Sequence, residues 1–272
     1  MKNEIFQQKY GPWALVAGAA AGIGAAYCEE LAAKGLNIFL IDKDEKALNN
    51  FSTKLSTQYN VEVDALLLDL ANPELLNELE PYLNKYTFGL MIYNAAYGPV
   101  RRFHLNTIDQ LIQHVDVNCR GPILMAHIFR EHFVQKESGG GMIFMTSMAG
   151  YQGAVLVAPY AATKAFDLVL GESLYHELAH DNIDVLVCTA GATLTQQYLE
   201  AEPDYGSYKP TEHEPVQVAR EALSALGRKS VHVVGSSNRL SVFMLQRILG
   251  RKRASRIISG RMMQYFKHKW NE

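Results

Sequence analysis

The stretch that decides the fold is Trp13-Ala-Leu-Val-Ala-Gly-Ala-Ala-Ala-Gly-Ile-Gly24. Its apolar start, Trp13–Ala17, predicts a buried strand, and a helix-like segment begins at Ile23. Glycines between the two allow a sharp turn and let a pyrophosphate approach the backbone closely. The N-terminus of the following helix attracts such an anion. This context favours a dinucleotide site over a purely structural turn. The candidate cofactor residues here are Gly18, Ala20, Ala21, Gly22, Ile23 and Gly24.

The rest of the chain alternates short, continuously apolar runs with helix-like segments. Such runs are typical of parallel strands buried on both faces, and parallel neighbours need crossover helices. The pattern predicts an α/β fold with a doubly wound, mostly parallel seven-stranded sheet. The predicted strands are Trp13–Ala17, Asn37–Ile41, Val61–Leu68, Phe88–Tyr93, Met142–Thr146, Asp184–Cys188 and Val231–Val234, and the predicted helices include Ile23–Lys34, Asp44–Gln58, Ile108–Lys136 and Ala161–His180.

Composition agrees with an ordinary globular chain. Of 272 residues, 48% are hydrophobic and 20% charged, and no composition break marks a second domain, so residues 1–272 are expected to form one domain. No apolar run approaches the roughly 20 residues of a membrane span, and the N-terminus lacks a secretory pattern.

Three widely spaced cysteines, Cys28, Cys119 and Cys188, argue against a structural zinc site or any other metal site and indicate a reducing, cytoplasmic compartment.

The residues after the second predicted strand bear on the choice of cofactor. Asp42 follows the glycine turn by about 20 positions, where a carboxylate accepts hydrogen bonds from an adenosine ribose and repels a 2′-phosphate. Lys43, its neighbour, attracts a phosphate. These charges favour NAD and leave NADP as the alternative, while Asp42 as a helix N-cap is the structural alternative.

Tyr160 and Lys164 stand four residues apart, so on a helix they share one face. A lysine cation near a tyrosine hydroxyl stabilises the phenolate, which makes the phenol a usable general acid and base at neutral pH. Ser147 ends a predicted strand thirteen residues earlier, at the sheet edge where open α/β sheets place their catalytic groups.

Together these residues resemble the short-chain dehydrogenase/reductase family over about residues 11–235. The family's glycine motif is similar to Ala17–Gly24, and its serine, tyrosine and lysine match Ser147, Tyr160 and Lys164 at the family's spacing. Its other motifs resemble Asp69-Leu70, Asn94-Ala95-Ala96, Asn118 and the stretch Ala190-Gly191-Ala192-Thr193-Leu194-Thr195. Ala17, Ala96 and Ala190 depart from the family's threonine, glycine and proline, which bears on cofactor affinity and removes no catalytic group.

The resemblance implies a single-domain Rossmann fold and hydride transfer between NAD(P) and a secondary alcohol or ketone. Tyr160 would exchange the proton, Ser147 would hydrogen-bond the reacting oxygen, and Lys164 would support the phenolate and bind the nicotinamide ribose. Asn118 would hold a water that relays protons. It further implies cofactor contacts from Asp69, Leu70, Asn94, Ala95, Ala96, Tyr160, Lys164, Ala190, Gly191, Thr193 and Thr195, and a homodimer or homotetramer formed through the long helices.

The segments that line the family's substrate cleft are mostly apolar or aromatic here, which favours a lipophilic alcohol or ketone. The alternative is that these side chains merely cover an empty cleft. The candidate substrate residues are Tyr97, Met148, Tyr151, Gln152, Val155, Leu194 and Tyr198. The last two lie in a loop over 193–215, rich in Tyr, Glu, Pro and Gly, whose length indicates a functional segment.

Residues 238–270 form a basic, amphipathic C-terminal extension that is predicted to be helical. The segment from Arg239 to Glu272 contains nine Lys and Arg residues and one acidic residue, whereas the remainder of the chain has a net negative charge. Packing on the domain or a neighbouring subunit is the favoured interpretation, with peripheral contact to an anionic membrane as the alternative. Nucleic-acid binding is not expected.

Two functional alternatives accompany the favoured interpretation of an NAD-dependent dehydrogenase. One is an NADP-dependent carbonyl reductase that uses the same residues. The other is a catalytically silent dinucleotide-binding regulatory or scaffold protein, against which the complete set of Asn118, Ser147, Tyr160 and Lys164 argues.

Overall fold

A computed structural model describes residues 2–135, 139–206 and 209–272, and the side chains of these except Lys2 and Asn3. Seven parallel strands form one sheet in the order β3-β2-β1-β4-β5-β6-β7. The order reverses between β1 and β4, which opens a crevice at the carboxyl ends of the strands. The predicted doubly wound α/β fold is confirmed.

Every predicted strand is present, with ends shifted by up to two residues. β5 and β6 are longer than predicted, because their terminal Gly, Thr, Ser and Ala residues pair all along the shared ladder. The strands are β1 Trp13–Ala17, β2 Asn37–Asp42, β3 Val63–Leu67, β4 Phe88–Tyr93, β5 Gly140–Ser147, β6 Ile183–Ala190 and β7 Val231–Val233.

Helices cover both faces of the sheet and both ends of the chain. Helix α1, at the N-terminus, was not predicted from the sequence. The helices are α1 Lys2–Tyr10, α2 Gly22–Ala32, α3 Glu45–Gln58, α4 Leu75–Lys85, α5 Ile108–Val115, α6 Gly121–Gln135, α7 Ala158–Glu177, α8 Gln196–Glu200, α9 Pro215–Ala225, α10 Ser236–Phe243, α11 Arg251–Tyr265 and α12 Lys267–Trp270.

The predicted long helix over residues 108–136 is not continuous. A π-helical segment, Asp116–Arg120, separates α5 from α6, and the last predicted residue, Lys136, lies outside the described residues. Pro122 has no N–H to donate to the Asn118 carbonyl oxygen, so the α-helical hydrogen-bond pattern cannot run through this point. Tyr93 Oη instead donates to the Val117 carbonyl oxygen at 2.6 Å.

Strands β1 to β6 contribute residues to two separate cores, one on each face of the sheet, which explains their continuous apolar runs. On β1, Ala14 and Val16 join the core that also contains Tyr27 of α2. Leu15 and Ala17 join the core on the opposite face with Phe129 of α6. The sheet is therefore covered on both faces, and the crevice at its carboxyl edge remains for a ligand.

The C-terminal extension folds back over the carboxyl edge of the sheet. Tyr265 and Phe266 pack with Leu156 in a small buried cluster, and the Tyr265 carbonyl oxygen accepts a hydrogen bond from the Asp204 N–H at 2.7 Å. Ser255 Oγ donates to the Gly153 carbonyl oxygen at 2.7 Å. The distal half of the extension thus packs on its own domain, as the favoured interpretation expects. Among the described residues, no helix is long and apolar enough to cross a membrane.

Candidate active site

The glycine turn has the tight geometry that its sequence predicts. Gly18 and Gly22 have positive φ angles of 76° and 56°, which favour glycine. A Cβ atom on Gly24 would lie 1.8 Å from the Gly18 carbonyl oxygen, so helix α2 can pack against the turn only through glycine. Ala21, the residue before α2, carries a methyl group that cannot cap the helix, so the first-turn N–H groups are available to an anion.

A cleft of about 490 Å³ opens above this turn. Its size falls within the usual range for small-molecule and cofactor sites. Most of the candidate cofactor residues line it: Gly18, Ala21, Gly22, Ile23, Asp42, Lys43, Asp69, Leu70, Asn94, Ala95, Ala96, Tyr160, Lys164, Ala190, Gly191, Thr193 and Thr195. Ala20 and Gly24 do not line the cleft but support its floor, since the Ala20 N–H binds Asp42 and Gly24 packs under Gly18.

Asp42 ends strand β2 and lines this cleft. Its Oδ2 accepts from the Ala20 N–H at 2.9 Å, and its Oδ1 accepts from the N–H groups of Lys43 and Asp44 at 2.8 and 3.2 Å. The N-cap of α3 is Asp44, which accepts from the Ala47 N–H. The alternative role of Asp42 as a helix N-cap is therefore wrong. Its carboxylate is held by main-chain donors and lines the cleft.

Ser147 and Tyr160 reach the same cleft from neighbouring elements. Ser147 is the last residue of β5, and its Oγ accepts from the Ala149 N–H at 3.2 Å. Tyr160 is half-buried in the first turn of α7. Both residues line the cleft. A strand end and a helix start thus present two hydroxyl groups to one ligand space.

Lys164 lies one turn after Tyr160, but its ammonium group is bonded away from the phenol. Nζ donates to the Met145 carbonyl oxygen and to Asp167 Oδ2, each at 2.8 Å, and lies 6.0 Å from the centroid of the Tyr160 ring. Burial disfavours its charged form, but the Asp167 carboxylate outweighs this and raises the pKa of Lys164. Asp167 carries no family motif, and sequence analysis missed it. Its position three residues after Lys164, on the same helical face, was the available signal.

Asn118 is fully buried in the π-helical segment. Its Oδ1 accepts from the Tyr97 N–H at 2.8 Å, and its Nδ2 donates to the Tyr97 carbonyl oxygen at 2.8 Å and to Thr163 Oγ1 at 2.9 Å. The side chain therefore joins the segment after β4 to helix α7. Because these bonds occupy the amide, a water at this residue would have to be held by its main chain.

Asn94 fixes the loop after β4 against the glycine turn. Its Nδ2 donates to the Gly18 carbonyl oxygen at 2.8 Å, and the N–H groups of Asn94 and Ala95 donate to the Ala17 carbonyl oxygen. These bonds span the point where the strand order reverses. They join the loop after β4 to the glycine turn, so that the two walls of the cleft are bonded to each other.

The candidate substrate residues divide into two groups. Tyr97 and Tyr198 line the cleft. Met148, Tyr151, Gln152, Val155 and Leu194 do not; Tyr151 Oη instead contacts Thr189 Oγ1, Gln152 is buried, and Val155 packs against the C-terminal extension. The cleft has further lining residues that were not predicted from the sequence: Leu68, Gly98, Val100, Val117, Met145, Thr146, Val157, Gln196, Gln197, Ala201 and Phe266.

A family model described as short chain dehydrogenase matches residues 12–205 of this chain. The matched range contains the glycine turn, Asn118, Ser147, Tyr160 and Lys164. The chain belongs to the short-chain dehydrogenase family.

Similar proteins agree with this assignment. The 7beta-hydroxysteroid dehydrogenase of Clostridium sardiniense is 27% identical over 234 residues, 86% of this dehydrogenase and 89% of that protein. A solved structure from work on 7beta-hydroxysteroid dehydrogenase stereoselectivity superposes with a TM-score of 0.85 at 25% identity, covering 93% of this chain and 98% of that one. A short-chain dehydrogenase from Sphingobium yanoikuyae in complex with NADPH gives 0.74 at 28% identity, covering 82% and 87%.

The predicted activity class is thereby confirmed. This short-chain dehydrogenase is an oxidoreductase that acts on alcohols and ketones with a nicotinamide cofactor. The glycine turn, the uncapped start of α2 and the hydroxyl groups at one end of the cleft are the features that fit such a cofactor.

Proposed function

We propose that this dehydrogenase transfers a hydride between NAD and a bulky, lipophilic secondary alcohol or ketone, with Tyr160 as general acid and base. The supporting observation is that Tyr160, Ser147 and the glycine turn line one cleft. The cofactor, when bound, supplies or accepts the hydride. Residues of this chain carry out the remaining chemistry.

During reduction, Tyr160 gives its hydroxyl proton to the carbonyl oxygen of the substrate, and during oxidation it takes a proton from the alcohol. Ser147 donates a hydrogen bond to the same oxygen and stabilises the charge that develops on it. Lys164 supplies positive charge beneath this pair and binds the nicotinamide ribose. The main-chain carbonyl of Asn118 holds the water that returns protons to solvent, since its side-chain amide is occupied.

Asp42 supports NAD as the cofactor. Main-chain N–H groups orient its carboxylate at the edge of the cleft, where it would accept hydrogen bonds from ribose hydroxyls and repel a 2′-phosphate. NADP is the second candidate, because Lys43 also lines the cleft and a related structure binds NADPH.

A bulky substrate is supported by the outer part of the cleft. Tyr97, Val100, Val157, Tyr198 and Phe266 give it an apolar and aromatic wall. Arg102 does not reach into it, since its guanidinium lies 5.3 Å from the centroid of the Trp270 ring. Relatives named for 7beta-hydroxysteroids support a fused-ring alcohol or ketone.

We propose that the protein forms a homodimer or homotetramer. We also propose that it works in a reducing, cytoplasmic compartment. Ile108, Ile112 and Val115 form one exposed apolar stripe on α5 at helical spacing, and Val169 is exposed on the adjoining α7. Such a stripe is suited to an isologous helix-to-helix interface. The three cysteines are free within the described residues.

We propose that the exposed face of residues 239–256 of the extension contacts anionic membranes. Exposed cations at Arg247, Arg251, Lys252, Arg253 and Arg256 alternate with exposed apolar side chains such as Phe243 and Ile248. We expect a much larger fraction of the protein to sediment with vesicles that contain anionic lipid than with vesicles of neutral lipid. Equal recovery with both vesicle types would contradict this contact.

Replacing Tyr160 with Phe removes the exchangeable proton and keeps the ring. We expect kcat to fall about 10²–10⁴-fold while the dissociation constant of NADH stays within about threefold. Steady-state assays and NADH fluorescence titration measure the two effects. Tyr175→Phe, on the same helix and outside the cleft, is the control and should keep full turnover. Turnover retained in Tyr160→Phe would refute the assignment of the general acid.

Replacing Asp42 with Ala removes the proposed ribose ligand. The ratio of kcat/KM for NAD to that for NADP should fall at least about tenfold, because a hydrogen bond to a charged group contributes about 1.5–3 kcal/mol. Glu45→Ala, an exposed carboxylate nearby, is the control. An unchanged ratio would show that Asp42 does not select the cofactor. A wild-type preference for NADPH would favour the second candidate.

Replacing Phe266 with Ala opens the outer wall of the cleft. We expect kcat/KM for a steroid ketone to fall about tenfold, with a much smaller change for cyclohexanone, because only the bulky substrate reaches this wall. Phe243→Ala is the control, since that side chain is 54% exposed on the same extension. An equal loss for both ketones would mean that the extension does not bind substrate.

A further inference from the structure

Asp167 lies on the same face of α7 as Tyr160 and Lys164, at positions i, i+4 and i+7. Its Oδ2 accepts a hydrogen bond from Lys164 Nζ at 2.8 Å, and the two side chains are only 2% and 3% exposed. A carboxylate is thus buried directly beneath the residues that the proposed function uses. None of the proposed catalytic steps uses this carboxylate.

Stability alone does not account for the pair. A buried ion pair is weak evidence for stability, because removing both charges from water costs as much as their attraction returns. Moreover, Asp167 Oδ1 has no hydrogen-bond partner within the described part of the chain. Half of the carboxylate is therefore left unsatisfied, which is a cost that an apolar residue would avoid.

The other titratable groups that face the pair are neutral. Tyr93, from β4, is buried and donates to the Val117 carbonyl oxygen, and burial raises its pKa well above the usual value. Burial also raises the pKa of Cys119, in the π-helical segment, to about 11. Among the described residues, Tyr93 and Cys119 therefore add no charge beside Lys164 and Asp167, whose opposite charges act together on Tyr160.

The pair exerts a weaker field than a lone lysine would. Opposite charges 2.8 Å apart form a compact dipole, whose potential falls off faster with distance than that of a single charge. Asp167 also accepts a hydrogen bond from the ammonium group of Lys164, next to the bond that this group donates to the Met145 carbonyl oxygen. The phenolate of Tyr160 therefore receives less stabilisation than a Tyr/Lys pair at this spacing would supply by itself.

We propose that Asp167 is a positioning residue that holds Lys164 away from the phenol and partly cancels its positive field, so that Tyr160 stays protonated and ready to donate its proton. This inference rests on the proposed roles of Tyr160 and Lys164. Its consequence lies in the pH dependence. Alcohol oxidation requires the phenolate of Tyr160. We therefore expect the rate of oxidation to rise at a higher pH than it would if Lys164 acted without the charge of Asp167.

Asp167→Asn is the decisive variant, because an amide keeps the shape and the acceptor for Lys164 while it removes the charge. We expect the acidic limb of the kcat/KM profile for alcohol oxidation to move to lower pH by about one unit. Asp167→Glu keeps the charge and should keep the limb at its wild-type position. Asp181→Asn, which removes a carboxylate paired with Arg130 at the opposite edge of the sheet, is the control and should also leave it unmoved.

A limb that stays in place in Asp167→Asn, or moves to higher pH, overturns the inference. Should that variant fail to fold, Asp167→Ser retains a small acceptor without charge and carries the same expectation. The Tyr160→Phe result separates the two proposals. If Tyr160→Phe keeps turnover, the proposed function fails. If it loses turnover while Asp167→Asn leaves the profile unchanged, only the role of Asp167 fails.

Discussion

The close contact between helix α2 and the glycine turn is the constraint on which the site depends. Gly24 packs so tightly against the Gly18 carbonyl oxygen that any side chain at this position would overlap it. Asn94 binds the same carbonyl oxygen from β4. The turn therefore fixes the direction of α2 and the position of the β4 loop at once, and the cleft between them follows from both.

Helix α7 brings a second constraint, which is electrostatic. Its inward face carries Tyr160 at the cleft and the buried pair Lys164–Asp167 one and two turns further on. The lysine stays charged at this depth because the carboxylate beside it offsets the loss of hydration. Under the proposed function, the reactivity of Tyr160 depends on charges that solvent screens little, in a region where a single carboxylate has a large effect.

The sequence was informative wherever function demands a particular residue type in a local pattern. Glycines in a turn between a strand and a helix, a carboxylate after β2, and a tyrosine four residues before a lysine are local patterns of this kind. The family, the fold and the activity class that they predicted are confirmed. The roles of Asn118, Ser147, Tyr160 and Lys164 stay predictions that the geometry supports.

The positions of side chains that meet across long sequence distances could not be predicted in this way. Phe266 reaches the cleft because the extension folds back onto Leu156, 110 residues earlier in the chain. Tyr151 turns toward Thr189 and not toward the cleft, as packing at the end of β6 requires. The sequence by itself determined the sheet, the glycine turn and the candidate catalytic residues, because local patterns specify them. Only the tertiary structure decided which side chains line the cleft and that Lys164 bonds to Asp167, because these contacts depend on how the elements pack.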